Sequence, residues 1–210
     1  MDFIREDVKS WLLGMAEVEG DSVLEAMHRE AAERRFPIVG PEVGRLLFQL
    51  ARVSKAERIF EMGSGFGYST LWFARALGHS GRVYHTDGDE KNTRRAREYL
   101  QEAGLLDRVQ FATGDARTIL QDTPGDFDII FMDIDKEQYP DAYRIFRDRV
   151  QPGGLVIVDN LIWSGRVAAG VKDPATQGVR DYLDLMWHDE RFLSSLLPVR
   201  DGVGVSLRVR

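Results

Sequence analysis

The stretch RIFEMGSGFGYST, residues 58–70, decides the fold of this 210-residue chain. It predicts a short strand over Arg58–Met62, a tight turn, and then an apolar helix over Tyr68–Leu77. Three glycines alternate with other residues in the turn: Gly63, Gly65 and Gly67. Glycine permits the positive φ of a sharp turn and leaves no Cβ between the backbone and a ligand. The stretch therefore predicts a binding loop at the carboxyl end of a first strand, as in open α/β sheets.

The glycine spacing and two acidic residues narrow the choice of ligand. The dinucleotide fingerprint is G-x-G-x-x-G, whereas this loop reads G-x-G-x-G and follows Glu61. A carboxylate beside the loop disfavours a pyrophosphate and favours a cationic ligand, such as the ammonium and sulfonium of S-adenosylmethionine (SAM). Asp87 ends the next predicted strand, where it can accept hydrogen bonds from ribose hydroxyls. A tight turn without any ligand is the alternative for a glycine loop taken alone.

Composition excludes several classes of protein. Hydrophobic residues make up 43% of the chain, which is enough for a sizeable core, and the net charge of −6 argues against a nucleic-acid or anionic membrane partner. The absence of cysteine excludes disulfides, thiolate metal sites and a cysteine nucleophile. The amino terminus does not follow the pattern of a signal peptide, and no apolar run has the length of a membrane span. We therefore expect a cytoplasmic protein that binds neither nucleic acid nor membrane.

Strand and helix patterns alternate from residue 58 onward. The predicted strands are Arg58–Met62, Arg82–Asp87, Val109–Thr113, Phe127–Met132, Leu155–Val158, Phe192–Pro198 and Gly204–Arg210. Alternation of this kind predicts an α/β fold with a Rossmann-like, mostly parallel sheet and helices on both faces. A turn at Asp201-Gly202 makes the last two strands an antiparallel hairpin. No repeat or linker interrupts the pattern, so we expect a single domain over residues 1–210, with a SAM-binding core over residues 54–210.

Residues 1–53 are predicted to form helices that cover one side of the sheet, line the ligand pocket or form a dimer face. Apolar spacing predicts helices over Phe3–Met15 and Val43–Arg52, and another that starts at Ser22. Ser22 and Glu25 would cap that second helix, which Pro37 would stop. The later predicted helices are Glu90–Ala103, Ala116–Gln121, Tyr139–Val150 and Val179–His188, the last one after a polar loop over Ser164–Gly178.

Polar or acidic residues end each of the first five predicted strands. They are Glu61, Asp87, Asp115, Asp133, and Asp159 with Asn160. For Asp115 alone, a helix N-cap explains the residue as well as a ligand contact does. Asp133, Asp159 and Asn160 follow strands that should be neighbours, so these side chains should converge. Their hard oxygen atoms suit Mg²⁺ or a similar divalent cation and leave positions open for a substrate.

Lys136 lies three residues after Asp133 and is a candidate general base. A lysine beside a cation loses its proton more readily, and a metal also acidifies a coordinated hydroxyl. Together the two could generate an alkoxide or phenolate near neutral pH. The alternative is a solvated lysine that pairs with Asp135 or Glu137.

These motifs together resemble the cation-dependent class I O-methyltransferases, the family of the catechol and caffeoyl-coenzyme A enzymes. The resemblance runs from about Pro37 to the carboxyl end, and four segments carry it: EMGSGFGYST (61–70), FMDIDKEQY (131–139), VDNLIWSGRV (158–167) and LPVRDG (197–202). It implies a seven-stranded sheet with an antiparallel edge hairpin, SAM as the methyl donor, and a homodimer. It also implies a small catechol-like or phenolic acceptor, with an unusual vicinal diol or a coenzyme A ester as alternatives.

The resemblance implies roles for single residues. Lys136 matches the catalytic base of the family, and Asp133, Asp159 and Asn160 match its metal ligands. The positions that match residues lining the cofactor are Glu61, Gly63, Tyr68, Ser69, Asp87, Ala116 and Asp133, to which we add Gly65, Gly67 and Asp115 as candidates from their place at the loop and strand ends. A short amino-terminal region and Leu183, where many relatives carry asparagine, depart from the family on the acceptor side.

Two other functions remain open at this point. The chain could be an NAD(P)-dependent oxidoreductase on a similar fold, or a scaffold without catalysis that keeps the cofactor fold.

The acceptor pocket should use the connector Phe36–Glu42 and the loop Trp163–Gly178. Trp163 could stack on an aromatic acceptor, whereas Trp187 is expected in the core. Arg166 and Lys172 could meet an anionic acceptor, or they could be solvated.

Overall fold

The computed structural model, which describes residues 5–16 and 18–210, has three helices followed by alternating strands and helices. The helices are α1 (Glu6–Met15), α2 (Ser22–Arg34), α3 (Gly40–Val53), α4 (Tyr68–Ala76), α5 (Glu90–Glu102), α6 (Ala116–Asp122), α7 (Tyr139–Phe146) and α8 (Pro174–Trp187). The strands are β1 (Arg58–Met62), β2 (Arg82–Asp87), β3 (Val109–Thr113), β4 (Phe127–Met132), β5 (Val150–Val158), β6 (Phe192–Leu197) and β7 (Val203–Arg208). Within the described residues, no helix combines the length and the apolar character that crossing a bilayer requires.

The strands of the described residues form one seven-stranded sheet in the order β3-β2-β1-β4-β5-β7-β6. The first five strands are parallel, whereas β7 runs antiparallel to both of its neighbours, β5 and β6. This confirms the predicted mostly parallel sheet with an antiparallel hairpin at the carboxyl end. The strand order reverses between β1 and β4, and open α/β sheets bind ligands at the carboxyl ends of the strands beside such a reversal.

Hydrophobic residues are buried on both faces of the sheet. Ile59 of β1 belongs to the cluster that packs under α2, α3, α4 and α5, whereas its neighbour Phe60 belongs to the cluster under α6, α7 and α8. Ile129 and Ile130 of β4 divide between the two clusters in the same way. Burial on both faces explains why the central strands read as continuous apolar runs rather than as alternating ones.

The second helix is capped by a different residue from the one predicted. The side chain of Asp21 accepts a hydrogen bond from the backbone N–H of Leu24 at 3.2 Å, so Ser22 is the first helical residue and not the cap. Glu25 does contribute to this end, because its Oε1 accepts from the backbone N–H of Gly20 at 2.9 Å. An aspartate side chain therefore takes the capping role that the prediction assigned to the serine hydroxyl, and Glu25 bonds back to the chain before the helix.

Several predicted boundaries also shift. α3 begins at Gly40, three residues early, because Pro41 is compatible with a first helical turn. β5 begins at Val150, since its early part pairs with Phe127 across an irregular register. α8 begins at Pro174, within the segment predicted as a loop, and α7 ends at Phe146 rather than Val150. Phe3 and Ile4 of the first predicted helix lie outside the described residues.

Candidate active site

The glycine loop is bonded to the end of β2 and lies against the end of β4. The backbone N–H groups of Gly63 and Ser64 donate to the carbonyl of Thr86 at 3.1 and 2.9 Å. Gly63 has φ +83°, and a Cβ there would lie 2.9 Å from the carbonyl carbon of Asp133. Only glycine allows this close approach together with this backbone conformation. The loop is thereby fixed at the reversal of strand order.

A cavity of about 870 Å³ opens above the loop and across the carboxyl ends of the first five strands. Most of the predicted site residues line it: Gly63, Gly65, Tyr68, Ser69, Asp87, Asp115, Ala116, Asp133, Lys136, Asp159 and Asn160. Glu61 and Gly67 do not. Gly67 is instead the N-cap of α4, with φ +91°. The structure thus brings both predicted halves of the site, for cofactor and for metal, to one cavity.

Glu61 is buried beneath the loop rather than directed into the cavity. Its Oε2 accepts a hydrogen bond from Thr70 Oγ1 at 2.5 Å, and Thr70 Oγ1 lies 3.0 Å from His85 Nδ1. Burial raises the pKa of Glu61 to about 7, and its Oε1 has no hydrogen-bond partner in the described part of the chain. Glu61 lies two residues after Ile59 in β1, so both side chains point to the same face of the sheet. This is the face that α4 covers, and Thr70 of α4 bonds to Glu61 there.

Two other acids on this side of the cavity are satisfied by nearby N–H groups. Asp87 Oδ2 accepts from the backbone N–H of Gly65 at 2.9 Å, and its Oδ1 accepts from Asp89 N and Asn92 Nδ2. Asp115 caps α6 through the N–H groups of Arg117 and Thr118. A hydrogen bond from the Arg117 side chain lowers the pKa of Asp115 to about 2. Asp115 is thus a helix cap whose carboxylate also faces the cavity.

Two of the candidate metal ligands are carboxylates, Asp133 and Asp159, and the charge of one acts on the other. Asp159 is 4% exposed, and its Oδ1 accepts from the backbone N–H of Asn160 at 2.9 Å. Burial, and next the charge of Asp133, raise the pKa of Asp159 to about 7. In residues 5–16 and 18–210 no three acids or histidines form a metal-binding cluster, so a cation here would use these two carboxylates, the Asn160 amide and non-protein ligands. This donor set fits a hard divalent cation, whose charge would relieve the repulsion.

Lys136 is buried at the same place and pairs with Asp133. Its Nζ donates to Asp133 Oδ1 at 2.7 Å and to the carbonyl of Ile134 at 3.1 Å. The rings of Tyr139 and Trp163 lie 5.1 and 5.5 Å from Nζ. The structure therefore differs from the solvated alternative, in which the lysine pairs with its other acidic neighbours.

The turn between β6 and β7 adds two residues to the cavity wall that the sequence analysis did not assign to the site. Arg200 and Asp201 both line the cavity. Asp201 Oδ1 accepts from the backbone N–H of Ser164 at 2.5 Å, and its carbonyl accepts from Ile162 N at 2.8 Å. The segment LPVRDG, already singled out for its resemblance, was the signal that could have pointed to them.

Comparison with known proteins gives the family. Residues 16–209 match the family model described as O-methyltransferase. The chain belongs to this family. The chain is 36% identical over 186 residues to a catechol O-methyltransferase from Niastella koreensis, which covers 85% of this chain and 84% of that one. It is 32% identical over 179 residues to a caffeoyl-CoA O-methyltransferase from Eucalyptus gunnii, with 80% and 72% covered.

Solved structures agree with this assignment. The O-methyltransferase from Bacillus cereus in complex with S-adenosylhomocysteine (SAH) superposes with a TM-score of 0.86 at 31% identity, over 94% of this chain and 96% of that one. The predicted class of enzyme, a SAM-dependent O-methyltransferase, is confirmed. These likenesses favour methyl transfer over the hydride transfer that the sequence left open.

The acceptor side of the enzyme is only partly as predicted. Phe36 and Trp163 line the cavity, as expected of the connector and the loop after β5. Trp187 does not lie in the core, because its position at the end of α8 leaves it 57% exposed. Arg166 pairs with Asp173 at 2.8 Å. Lys172 is exposed, and neither of these two cations lines the cavity.

Proposed function

We propose that the enzyme transfers the methyl group of SAM to a hydroxyl of a small catechol-like or phenolic acceptor, with a divalent cation such as Mg²⁺ held by Asp133, Asp159 and Asn160. One observation carries this proposal: the glycine loop, two crowded carboxylates and a buried lysine face one cavity. The catechol and caffeoyl-CoA enzymes among its relatives support the acceptor class. A coenzyme A ester is the second candidate acceptor.

We assign SAM to the side of the cavity that the glycine loop lines. Gly63, Gly65, Tyr68 and Ser69 would contact it from the loop and the start of α4, and Ala116 from the start of α6. Asp87 would bind the ribose, because each carboxylate oxygen can accept two hydrogen bonds and Oδ2 receives only the N–H of Gly65. Asp133 would lie between the cofactor and the acceptor, since it lines the cavity directly after β4.

Methyl transfer then requires alignment and the removal of one proton. The acceptor oxygen attacks the methyl carbon as the bond to sulfur breaks, and the sulfur leaves as a neutral thioether. Lys136 Nζ would take the hydroxyl proton, for which it must first lose its own. Asp133 and the carbonyl of Ile134 orient Nζ. The cation, when bound, would supply positive charge that stabilises the ionised hydroxyl.

The deciding experiment measures methyl transfer from labelled SAM to a panel of catechols, with Mg²⁺ and with EDTA. Transfer that EDTA abolishes and Mg²⁺ restores supports the proposal. Transfer that is indifferent to EDTA would sink the metal role of Asp133, Asp159 and Asn160. Thermal stabilisation by SAH but not by NAD separates methyl transfer from the oxidoreductase alternative. Unchanged function in the cell after Lys136→Ala would favour the scaffold alternative.

We further propose that residues 1–210 act as one domain within a cytoplasmic homodimer, as the resemblance implies. One continuous sheet with a hydrophobic cluster on each face supports the single domain. α1 leaves large apolar side chains exposed, with Trp11 at 63% and Met15 at 68%, and a second copy could cover them. Light scattering on the purified protein tests the dimer. A monomer at micromolar concentration would contradict it.

A further inference from the structure

Arg200 lies in the turn between β6 and β7 with an unfavourable backbone conformation. Its φ of +49° is in the left-handed region, which residues with a side chain adopt at a cost. Neighbouring hydrogen bonds impose this conformation: Gly202 N donates to the carbonyl of Val199 at 2.9 Å, and Leu161 N donates to that of Gly202 at 2.9 Å. The turn is therefore fixed to the segment that follows Asn160.

The side chain of Arg200 is also held in place by a contact with the amino-terminal part of the chain. Its Nη1 donates to the carbonyl of Ile38 at 2.8 Å. A Cβ on Gly40 would lie 2.9 Å from the Arg200 Cζ, so the absence of a side chain at Gly40 leaves room for the guanidinium. The backbone and the side chain of Arg200 are thus both positioned, although the residue itself is exposed.

The charge around Arg200 is one-sided. The acids in the wall of the cavity are Asp87, Asp115, Asp133, Asp135, Glu137, Asp159 and Asp201. Its cations are Lys136, which pairs with Asp133 at 2.7 Å, and Arg200. Arg200 has no salt bridge among those of the described residues, but Glu42 lies beside it: a Cβ on Gly40 would be 2.9 Å from Arg200 Cζ and 3.2 Å from Glu42 Oε2. The guanidinium carries five N–H donors, so it retains donors for a ligand after its bond to Ile38.

A second cavity makes this position accessible from both sides. It has a volume of about 480 Å³, lies between the helices α1 and α2 and the start of α3, and shares Arg200 and Ile38 with the first cavity. His28 and Glu42 also line it. A group bound at Arg200 would therefore lie where the acceptor side of the main cavity meets free space, with room for a substituent.

We propose that Arg200 binds an anionic oxygen group of the methyl acceptor, and that the preferred acceptor is a catechol that carries a carboxylate. The inference rests on the proposed function, because it names the acceptor of that reaction. A guanidinium recognises a carboxylate through two parallel hydrogen bonds, which fixes orientation as well as position. Of the two cations in the cavity wall, Lys136 is paired with Asp133, whereas Arg200 forms no salt bridge and can offer its N–H donors to an anionic acceptor.

A purely structural role for Arg200 makes a different prediction. The bond to Ile38 could serve only to hold the connector against the turn, and then the charge of the acceptor would not matter. The loss of Arg200 would in that case affect charged and neutral acceptors alike. Matched pairs of a carboxylic acid and its methyl ester distinguish the two roles.

The test measures kcat and KM with 3,4-dihydroxybenzoate, 3,4-dihydroxyphenylacetate and 3,4-dihydroxycinnamate, each beside its methyl ester. For at least one acid, we expect kcat/KM to exceed that of its ester about tenfold, since a hydrogen bond to a charged group contributes this much. Arg200→Gln should raise the KM for that acid about tenfold more than the KM for its ester, because only the acid loses a charged partner. Arg200→Lys keeps the charge but not the planar guanidinium, so its KM for that acid should lie between those of the wild type and Arg200→Gln. Lys172→Gln is the control, because it removes a cation outside the cavity wall.

Three outcomes would overturn the carboxylate assignment. The first is a wild-type enzyme with no preference for any acid over its ester. The second is an Arg200→Gln variant that loses the same factor on acids and esters. The third is an Arg200-dependent preference for the coenzyme A thioester of dihydroxycinnamate over the free acid, which would assign Arg200 to a phosphate instead.

A binding measurement separates this inference from the proposed function. Calorimetric titration of each acid and ester into the SAH-loaded protein requires no turnover. Acid binding that Arg200→Gln weakens, without methylation of any acceptor, would support the anion site and contradict the acceptor class. Metal-dependent transfer to simple catechols, with no effect of Arg200 on acid binding, would support the proposed function and overturn the inference.

Discussion

The two halves of the cavity differ in how their carboxylates are satisfied. At the ends of β2 and β3, Asp87 accepts three N–H groups, and Asp115 caps a helix and pairs with Arg117. At the ends of β4 and β5 and the turn after β6, burial raises the pKa of Asp159 to about 7 and also raises the pKa of Asp201. Protein N–H groups thus satisfy Asp87 and Asp115, whereas burial disfavours the charged forms of Asp159 and Asp201.

Backbone strain follows the same division. In the described residues, positive φ outside glycine occurs at Arg35, Lys55, Asn160, Trp163, Ser164 and Arg200. Arg35 and Lys55 end or follow helices. Asn160, Trp163 and Arg200 line the second half of the cavity, and Ser164 follows Trp163. Trp163 also buries an indole N–H without a partner. Backbone strain of this kind gathers at functional sites, so it favours the second half as the place where the proposed cation and acceptor would bind.

Removal of the Asp159 carboxylate should have the largest effect on the difference between the two halves of the cavity. Asp159→Asn should lower kcat/KM for methyl transfer by roughly 10³-fold or more, because a cation's contribution to charge stabilisation amounts to several kcal/mol. The same change should raise the free energy of unfolding at pH 8 without metal, since it removes a buried acid next to Asp133. Steady-state kinetics and urea unfolding check the two effects.

The sign of the stability effect follows from the raised pKa of Asp159. The folded state holds this proton up to about pH 7, whereas the unfolded state releases it near the ordinary aspartate pKa of 3.8. Stability is therefore lost as pH rises through this window. Asp107→Asn, at an exposed position, serves as the control and should change neither quantity. A destabilised Asp159→Asn protein would contradict the crowding argument.

Replacement of Lys136 by methionine should remove the proposed base and keep most of its buried aliphatic chain. We expect kcat to fall by about 10²-fold or more, as for a general base, while the affinity for SAH stays within about twofold. Kinetics at several pH values and calorimetric titration with SAH measure these effects. Lys172→Met is the matched control. An equal loss of SAH affinity would mean that Lys136 mainly maintains the shape of the cavity.

The buried acid beneath the glycine loop tests the first half of the cavity. Burial raises the pKa of Glu61 to about 7 from the ordinary glutamate value of 4.5, so stability should fall by about 3 kcal/mol as pH rises through this range. Glu61→Gln should flatten that dependence because the amide does not ionise. Urea unfolding at pH 5 and pH 8 measures it, with the exposed Glu102→Gln as control. Equal pH slopes for wild type and Glu61→Gln would sink this account.

The smallest expected effect concerns Asp115, for which the sequence left a cap and a ligand contact equally open. Asp115→Ala should cost about 1 kcal/mol of stability, the usual loss of an N-cap. Asp115→Asn should keep the cap and leave SAH affinity within about twofold, because the carboxylate is already engaged by α6 and Arg117. Urea unfolding and SAH titration check both variants. Tenfold weaker SAH binding by Asp115→Asn would instead make the residue a cofactor contact.

Local patterns predicted the architecture of this enzyme well. The bounds of β1, β2, β3 and β4 agree with the prediction, because buried apolar runs between glycines and acids mark short parallel strands. The polar residues at their ends then had to share one edge, since parallel strands joined by right-handed crossovers point the same way. Helix starts were less certain: an aspartate took the place of the predicted serine cap of α2, as each can accept the same N–H bond.

The sequence by itself determined the sheet, the glycine loop and the convergence of Asp133, Lys136, Asp159 and Asn160, because each depends on spacing over a few residues and on strand direction. Tertiary structure alone decided that Glu61 lies beneath the loop, since that depends on which face α4 covers. It alone also placed Arg200 against Ile38, at the opposite end of the chain. Contacts between such distant residues arise only when the sheet folds and the amino-terminal helices pack on it, and short-range patterns carry no information about them.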